Sequence, residues 1–504
     1  MFNVDEERES MFRDVATNVA RNTSVMFFQQ IITMTSSVLL LIFIPRFLGP
    51  VDYGRLYLAA SITGMFQILV NYGNNFLIAK NVARAPELAG QILVDSWALR
   101  SVLATLSLGA MVAFGAVAGY PAEVQLLLLI NGFGLFVWGA YTSLYACFQG
   151  REVLRYTSAG AVAEKVTVSV AAIAALMLGA RSTQIAIIIV AGNILDVAVL
   201  MLLLKRIVPS LPRVNWKGAF SQMHDGLPYF LFGVFGVIYY KIDTVMLSKM
   251  SSEEVVGWYG GAYRLFESLN FPYVLTMAVY PVLSRLWKEE ANTHRRTTQK
   301  SLEAVVLAAI PVTVAGIGLA RPLIGLFYGL AQFEPTVILL QVLLAGILFL
   351  YVDMVLGTAM LSVDKQRHLM MVSLCAIPFN IGLNLILIPM FESSAGNGAI
   401  GAAIATGITE IVIMVAVILL LPAGTLKGFR FETAGKSLVA GIGMAAALLL
   451  CGSAGIYWIA SGFISIGVYA SLLLLLRTFE PAELAFLREL LTVRGMRLLH
   501  GSGD

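Results

Sequence analysis

Charge is scarce in this sequence. Only 13% of its 504 residues are Asp, Glu, Lys or Arg, where a soluble domain carries roughly a quarter. That shortage excludes an ordinary soluble protein. With 58% hydrophobic residues and a mean hydropathy of +0.82, the composition implies a polytopic membrane protein. The net charge of +4 is small, and no nucleic-acid partner is expected.

Other absences narrow the function. There is no Walker string, no H-E-x-x-H and no Cys/His cluster. The four histidines (His224, His294, His368, His500) lie outside the apolar runs, so no metal or other cofactor is expected. The three cysteines, Cys147, Cys375 and Cys451, lie in or beside apolar runs at spacings that fit no metal motif, and read as packing residues. Gly396, Gly398 and Gly401 form a G-x-G-x-x-G string, but they open an apolar run, where small residues let helices pack closely in lipid. A dinucleotide site would need a preceding strand and a downstream acid. No polar stretch is long enough for a soluble catalytic domain, which argues against a membrane glycosyltransferase or polymerase; a non-enzyme is expected.

What the sequence has is long hydrophobic runs. A spanning helix needs about 20 mostly apolar residues, and about fourteen runs meet that criterion. They lie near 25–44, 54–79, 92–118, 124–148, 157–179 and 183–204, then 226–247, 255–281, 302–320, 335–361, 368–390 and 398–422, with a final pair near 436–454 and 456–476. Residues 1–21 are polar and of mixed charge, and the first apolar run is long enough to span, so no cleavable signal is expected. With both termini placed in the cytoplasm, most of the 34 basic residues fall on cytoplasmic flanks, Arg100, Lys165 and the Lys205–Lys217 cluster among them. Arg46, Arg55, Arg181, Lys249 and Arg321 fall at outer ends. The expected location is the inner or plasma membrane.

The longest cytoplasmic connection, with Pro209 and Pro212, follows the sixth run. The expected organisation is a six-helix bundle over 1–204, a linker over 205–225, a second six-helix bundle over 226–422, two appended helices over 423–479 and an amphipathic cytoplasmic tail over 480–504. Two halves of six spans have the same orientation, as in parallel repeats. A loose internal match supports this: GPVDYGRLYLAASITG in the first half and SSEEVVGWYGGAYRL in the second both place an acidic, Gly- and Tyr-containing turn at the outer entrance of a helix.

Ionisable residues inside apolar runs are costly in hydrocarbon and mark pathways or pairs. Lys241, Asp243, Arg264 and Glu267 are such residues. Arg264 and Glu267 lie three apart on one helical face and can pair. They read either as an ion pair joining helices or as a cationic site for an anionic substrate with a carboxylate as proton or sodium switch. Lys241 and Asp243 lie nearer the outer end, where Lys241 can snorkel outward. Asp196, Asp353 and Glu410 are further buried acids, each a candidate coupling-ion ligand or packing group. Amides are frequent in the spans, among them Gln29, Asn71, Asn75, Asn380 and Asn384, and suit a hydrated interior.

Several strings resemble one family. YYKIDTVMLSKMSSEEVVGWYGGAYRLFESL looks like the seventh and eighth helices of polysaccharide-export flippases, the Wzx-type members of the multidrug/oligosaccharidyl-lipid/polysaccharide superfamily. IPRFLGPVDYGRLYLAASITGMFQIL resembles their first loop and second helix, and NLILIPMFESSAGNGAIGAAIATGITE their eleventh and twelfth. The resemblance implies an all-α polytopic fold with two six-helix bundles in a V around a central cavity. It implies a flippase that moves an undecaprenyl-diphosphate-linked oligosaccharide to the outer leaflet. The expected partners are that lipid-linked substrate, a coupling proton or sodium ion, membrane lipids and polysaccharide polymerase or assembly proteins. Lys241 and Arg264 fall where the family's cavity charges are expected, with Arg46 and Arg55 near the outer mouth. The alternatives within the superfamily are an ion-coupled antiporter of drugs or metabolites and a flippase for the peptidoglycan precursor.

Overall fold

The computed structural model describes residues 2–208 and 210–481. The tail expected over 480–504 lies outside them from residue 482 onward. The described residues form eighteen α-helices. These are α1 (Phe2–Asn71), α2 (Asn74–Arg84), α3 (Ala89–Val117), α4 (Ala122–Gly150), α5 (Arg155–Met177) and α6 (Ser182–Leu204). Then follow α7 (Trp216–Met250), α8 (Glu253–Ser268), α9 (Pro272–Glu289), α10 (Ala291–Gly318), α11 (Ala320–Phe327) and α12 (Leu330–Phe333). Last come α13 (Thr336–Ala345), α14 (Ile347–Ser362), α15 (Gln366–Ala395), α16 (Gly398–Leu420), α17 (Phe431–Ser453) and α18 (Trp458–Leu475).

Every run expected to span is helical, but four are joined or broken in ways that apolar length does not signal. The first two share α1, which breaks at Gly49 (φ 71°, ψ 172°). Pro50 disfavours helical geometry in the residue before it, and glycine alone takes this left-handed, extended combination without strain. The second run stops early at Tyr72 (φ 45°) and Gly73 (φ 70°), beyond which α2 begins. The eighth run divides into α8 and α9, with Pro272 at the first turn of α9. The tenth is α13 and α14, bent by 41°. Ten helices are long and apolar enough to cross a membrane, or eleven when the bent pair counts as one span. Val25–Asn71 is one of the ten and holds two of the predicted spans. α7, α8 and α9 fall outside that set; the ionisable residues cluster on α7 and α8.

α7 begins at Trp216, well before the apolar run expected from 226. Asn215 is its N-cap: the side-chain oxygen accepts from the backbone N–H of Lys217 (3.2 Å) and Gly218 (3.4 Å), a cap worth about 1 kcal/mol. The linker before it is tethered to α3. Asp95 accepts from the Asn215 N–H (2.7 Å) and from Gln91 (2.8 Å), and Gln91 also donates to the Arg213 carbonyl (3.1 Å).

The chain divides into two compact units, Met1–Arg264 with Gly325–Thr336 and Ser373–Ala402, and Leu265–Ile324 with Val337–Val372 and Ala403–Asp504. In the first, α5 packs on α1 and α6, and α4 on α3 and α6. Ile78, Leu93, Leu144, Phe148, Leu200 and Leu204 form a core cluster within it. In the second, α10 packs on α14 and α17, and α17 on α18, around Ile310, Met444, Tyr469 and Leu473. The Tyr469 hydroxyl satisfies its polarity by donating to the Leu307 carbonyl (2.8 Å) beside Ser437 (2.6 Å).

Candidate substrate and ion site

The two similar sequence strings meet in the first unit. The stretch after Gly49 crosses the start of α8 with almost no space between backbones. A Cβ on Gly257 would collide with the Pro50 carbonyl, and one on Gly54 with the Glu253 carbonyl. Gly260 lies under the Tyr57 ring. Arg55 spans this crossing, donating from Nε to Glu253 (2.7 Å) and from Nη1 to Asp52 (3.3 Å). Nearby, Trp258 donates to the Gln332 carbonyl (2.9 Å), and exposed Arg46 approaches the Leu326 carbonyl at 3.4 Å. Arg55 is therefore committed to two carboxylates at this crossing.

Asp243 on α7 is the centre of a buried polar cluster. It is 4% exposed. One oxygen accepts from Asn384 Nδ2 on α15 (2.7 Å) and the other from the Tyr259 hydroxyl on α8 (3.3 Å). Asn384 Nδ2 also reaches Asn380 Oδ1 (2.9 Å), and both amides are fully buried. With its amine engaged, Asn384 leaves a buried carbonyl oxygen without a hydrogen-bond donor. A buried acceptor in that state costs on the order of 1–3 kcal/mol. One carboxylate and two amide side chains, with one oxygen unsatisfied, make an oxygen-rich cluster of the kind that hard cations favour. Sequence spacing could not pair Asp243 with Asn384, 141 residues away.

Lys241 does not snorkel outward: it is half-buried, with Nζ 5.7 Å from the centre of the Tyr263 ring, a cation–π arrangement. In the last turn of α7 stands Lys249, whose Nζ lies 3.5 Å from the Tyr120 ring centre and bonds the Ala118 carbonyl. Burial holds the Lys249 ammonium below its ordinary range and lifts the Tyr120 phenol above its own. Arg264 and Glu267 are both exposed on α8. The Arg264 charge acts on the buried Tyr328 hydroxyl, which itself donates to the Gly261 carbonyl (3.1 Å).

The other acids are dispersed. Asp353 sits on α14 in the second unit with a buried oxygen that has no hydrogen-bond donor. Glu410 on α16 is buried. Asp196 on α6 is 5% exposed, also with one oxygen lacking a donor. Two buried charges escaped sequence reading because they resemble cytoplasmic flanks. Arg100 is 1% exposed and bonds Thr142, the Gly139 carbonyl (3.3 Å), Asn71 (3.4 Å) and Asn75 (2.6 Å). Its two asparagine partners flank the left-handed break at Tyr72–Gly73. Glu164 is buried beside Lys165 (3.1 Å). A cavity of about 480 Å3 among Thr313, Ile317, Pro322, Leu448, Ile456 and Trp458 is apolar and holds none of the candidate residues.

Many apolar helices, broken spans and buried polar clusters define a multi-pass membrane transporter. Residues 19–287 match the family model described as polysaccharide biosynthesis protein, and residues 157–478 match that of lipid II flippase MurJ. Each model covers more than half of the chain, and the chain belongs to the family they describe, that of polysaccharide biosynthesis proteins and MurJ-type flippases. Among solved structures, lipid II flippase MurJ in an inward closed conformation is similar at TM-score 0.71 and 16% identity, covering 90% of this chain and 98% of that one. An inward-facing multidrug resistance MATE family transporter of the MOP superfamily is similar at TM-score 0.61 and 16% identity, covering 80% of this chain and 95% of that one. At these identities the likeness establishes the fold. No curated protein matches the sequence.

Proposed function

We propose that the chain flips an undecaprenyl-diphosphate-linked oligosaccharide from the cytoplasmic to the outer leaflet of the cell membrane, for polysaccharide biosynthesis. The observation that carries this reading is the match to the polysaccharide biosynthesis family over residues 19–287, a stretch that contains Lys241 and Arg264. Arg264 is exposed within an otherwise apolar segment. A guanidinium cannot face lipid there cheaply, so it faces water and offers a fork for a diphosphate. Lys241 is the second cation. Arg46 stands near the outer end, and Arg55, held by Glu253 and Asp52, serves as a strut rather than a phosphate ligand.

The two six-helix halves, 1–204 and 226–422, alternate access to a hydrated path along which the sugar and diphosphate move while the lipid tail stays in the bilayer. Asp243, Asn380 and Asn384 hold the coupling cation. The unsatisfied Asn384 oxygen beside a carboxylate supports sodium as that ion. Glu267, Asp353 and Glu410 remain candidates for ion coupling or ion pairing.

Replacing Arg264 with Ala should abolish polysaccharide export while the protein remains in the membrane at normal level. Full export by Arg264→Ala removes the assigned role. The match to the MurJ family over residues 157–478 favours a second reading, flipping of the peptidoglycan precursor. Complementation separates the two. Rescue of a strain lacking its polysaccharide flippase supports the first reading, and rescue of a strain depleted of its peptidoglycan-precursor flippase supports the second.

A further inference from the structure

We propose that Arg100 of α3 is a positioning residue. It latches the break at Tyr72–Gly73 in the second apolar run, and through that break it sets where α7 lies. This goes beyond the assignment of substrate and cation, and it rests on the transport reading only for what the break serves.

The break is strained. Tyr72 (φ 45°) and Gly73 (φ 70°) are both left-handed. Glycine takes that conformation freely, but a bulky side chain does so only where its surroundings over-determine it. The Tyr72 N–H still bonds the Ile68 carbonyl (2.9 Å), so α1 runs helical up to the break. Both arms pack on α3 and α4. Before the break, Val70 sits with Ala104 and Leu135; after it, Ile78 and Val82 sit with Leu93 and Leu144. Apolar contacts of this kind have no preferred direction and leave the angle between the arms open.

Arg100 supplies the direction. One nitrogen, Nη2, reaches both sides of the break, donating to Asn75 Oδ1 (2.6 Å) and Asn71 Oδ1 (3.4 Å). The other, Nη1, is anchored on α4 at Thr142 and the Gly139 carbonyl (3.3 Å). Gly139 makes the room, since a Cβ there would lie 3.2 Å from Val70 and 3.4 Å from Arg100. The guanidinium is shut off from water, and a buried donor needs an acceptor. Among the described residues its Nε has none, so the bonds to the two asparagines are ones it cannot spare.

The break also touches α7. The Tyr72 ring lies flat on Phe230, with 4.7 Å between centroids and 9° between planes. α7 carries Lys241 and Asp243. Arg100 is therefore linked to the candidate site in series, from guanidinium to amides, from amides to break, and from break to the Tyr72–Phe230 stack. Releasing the latch lets Tyr72 return to helical geometry, straightens the run and frees the start of α7.

Pulsed electron spin resonance on the purified full-length protein in lipid nanodiscs tests this without any substrate. Spin labels go on Gly64→Cys, which has open space, and on exposed Lys80→Cys, one on each arm. The background carries Cys147→Ala, Cys375→Ala and Cys451→Ala. The sixteen steps from 64 to 80 would span about 24 Å in continuous helix, and the broken wild type should give a shorter mean distance. Arg100→Met and Asn75→Ala should each lengthen it toward that value. Thr142→Val removes a partner of the same guanidinium that lies away from the break, and should leave the distance as in the wild type. An unchanged distance in Arg100→Met or Asn75→Ala, or an equal lengthening in Thr142→Val, would overturn the proposal. Should Arg100→Met fail to fold, Asn75→Ala and Thr142→Val decide it between them. A wrong substrate assignment leaves all of these distances unaffected, so the two failures are distinguishable.

Discussion

At the scale of single residues, the polar groups matter through their partners. Asp243 accepts from Tyr259 and Asn384, and the amide oxygen of Asn384 remains unsatisfied. A cation that binds there stabilises the folded protein by mass action, by about 2.7 kcal/mol at a hundredfold excess over its dissociation constant. Sodium chloride should therefore raise the thermal unfolding midpoint of the detergent-purified wild type, and potassium chloride at equal ionic strength should not. Asp243→Ala should abolish the sodium-specific increment, and Asn384→Ala should reduce it, since a neutral oxygen contributes less than a carboxylate. A sodium increment of full size in Asp243→Ala would exclude the cluster as the cation site. Arg55 differs in kind. Its bonds to Glu253 and Asp52 tie the stretch of α1 that follows the Gly49 break to α8 in a partly exposed setting, where such pairs contribute about 0–1 kcal/mol. Arg55→Ala should lower the unfolding midpoint by a degree or two at most, on the order set by that pair energy, and leave export largely intact. Loss of export without loss of stability would return Arg55 to the substrate path.

At the scale of helices, close approach decides where glycine is required. Gly257 meets the backbone of Pro50, which has no flexible end to move aside. Gly64 on α1 has open space around it. Overpacking a tight contact costs about 1–3 kcal/mol, so Gly257→Ala should destabilise the protein by that amount. Gly64→Ala should be neutral or slightly stabilising, because alanine is the better helix former. Paired unfolding curves check this, and equal effects of the two substitutions would show that the α1–α8 crossing is not tight. The helices themselves were largely legible in the sequence, because bilayer thickness fixes the length of an apolar run and each of the fourteen runs is helical. The breaks at Gly49 and Pro272 carry local signals of glycine and proline. That at Tyr72 falls in the stretch 71–75, where Asn and Gly are turn formers inside a long apolar run, whereas that at Gly346 has apolar sequence on both sides. The clusters were less legible. Asn384 reaches Asp243 only through folding, and Arg100 and Lys165 look like cytoplasmic flanking charges until the packing of α3 and α5 places one in the interior and the other beside Glu164.

At the scale of the whole molecule, the question is which way the chain threads the membrane. Short connections sort into two sets. The turns around 118–121, 251–252, 396–397 and 454–457 contain no lysine or arginine, whereas the connections at 205–215, 363–367 and 421–430 are rich in them. Basic residues resist translocation, so the expected topology places the second set in the cytoplasm and, with an even number of spans, both termini on that side. Alkaline phosphatase, which folds only outside the cytoplasm, should be active when fused after Gly119 or Gly455 and inactive when fused after Phe429 or Thr478. A fluorescent protein fused at the C-terminus should give the opposite result. The decisive position is Gly396. It lies between α15 and α16, after the broken elements α8–α9 and α13–α14, so activity there requires the two broken pairs to behave alike, both crossing the membrane or both re-entering. An inactive fusion after Gly396, with an active one after Gly119, would mean that one of those pairs re-enters and leaves on the same side. That outcome would change the side of the membrane from which Arg264 is reached, and the substrate path would have to be redrawn.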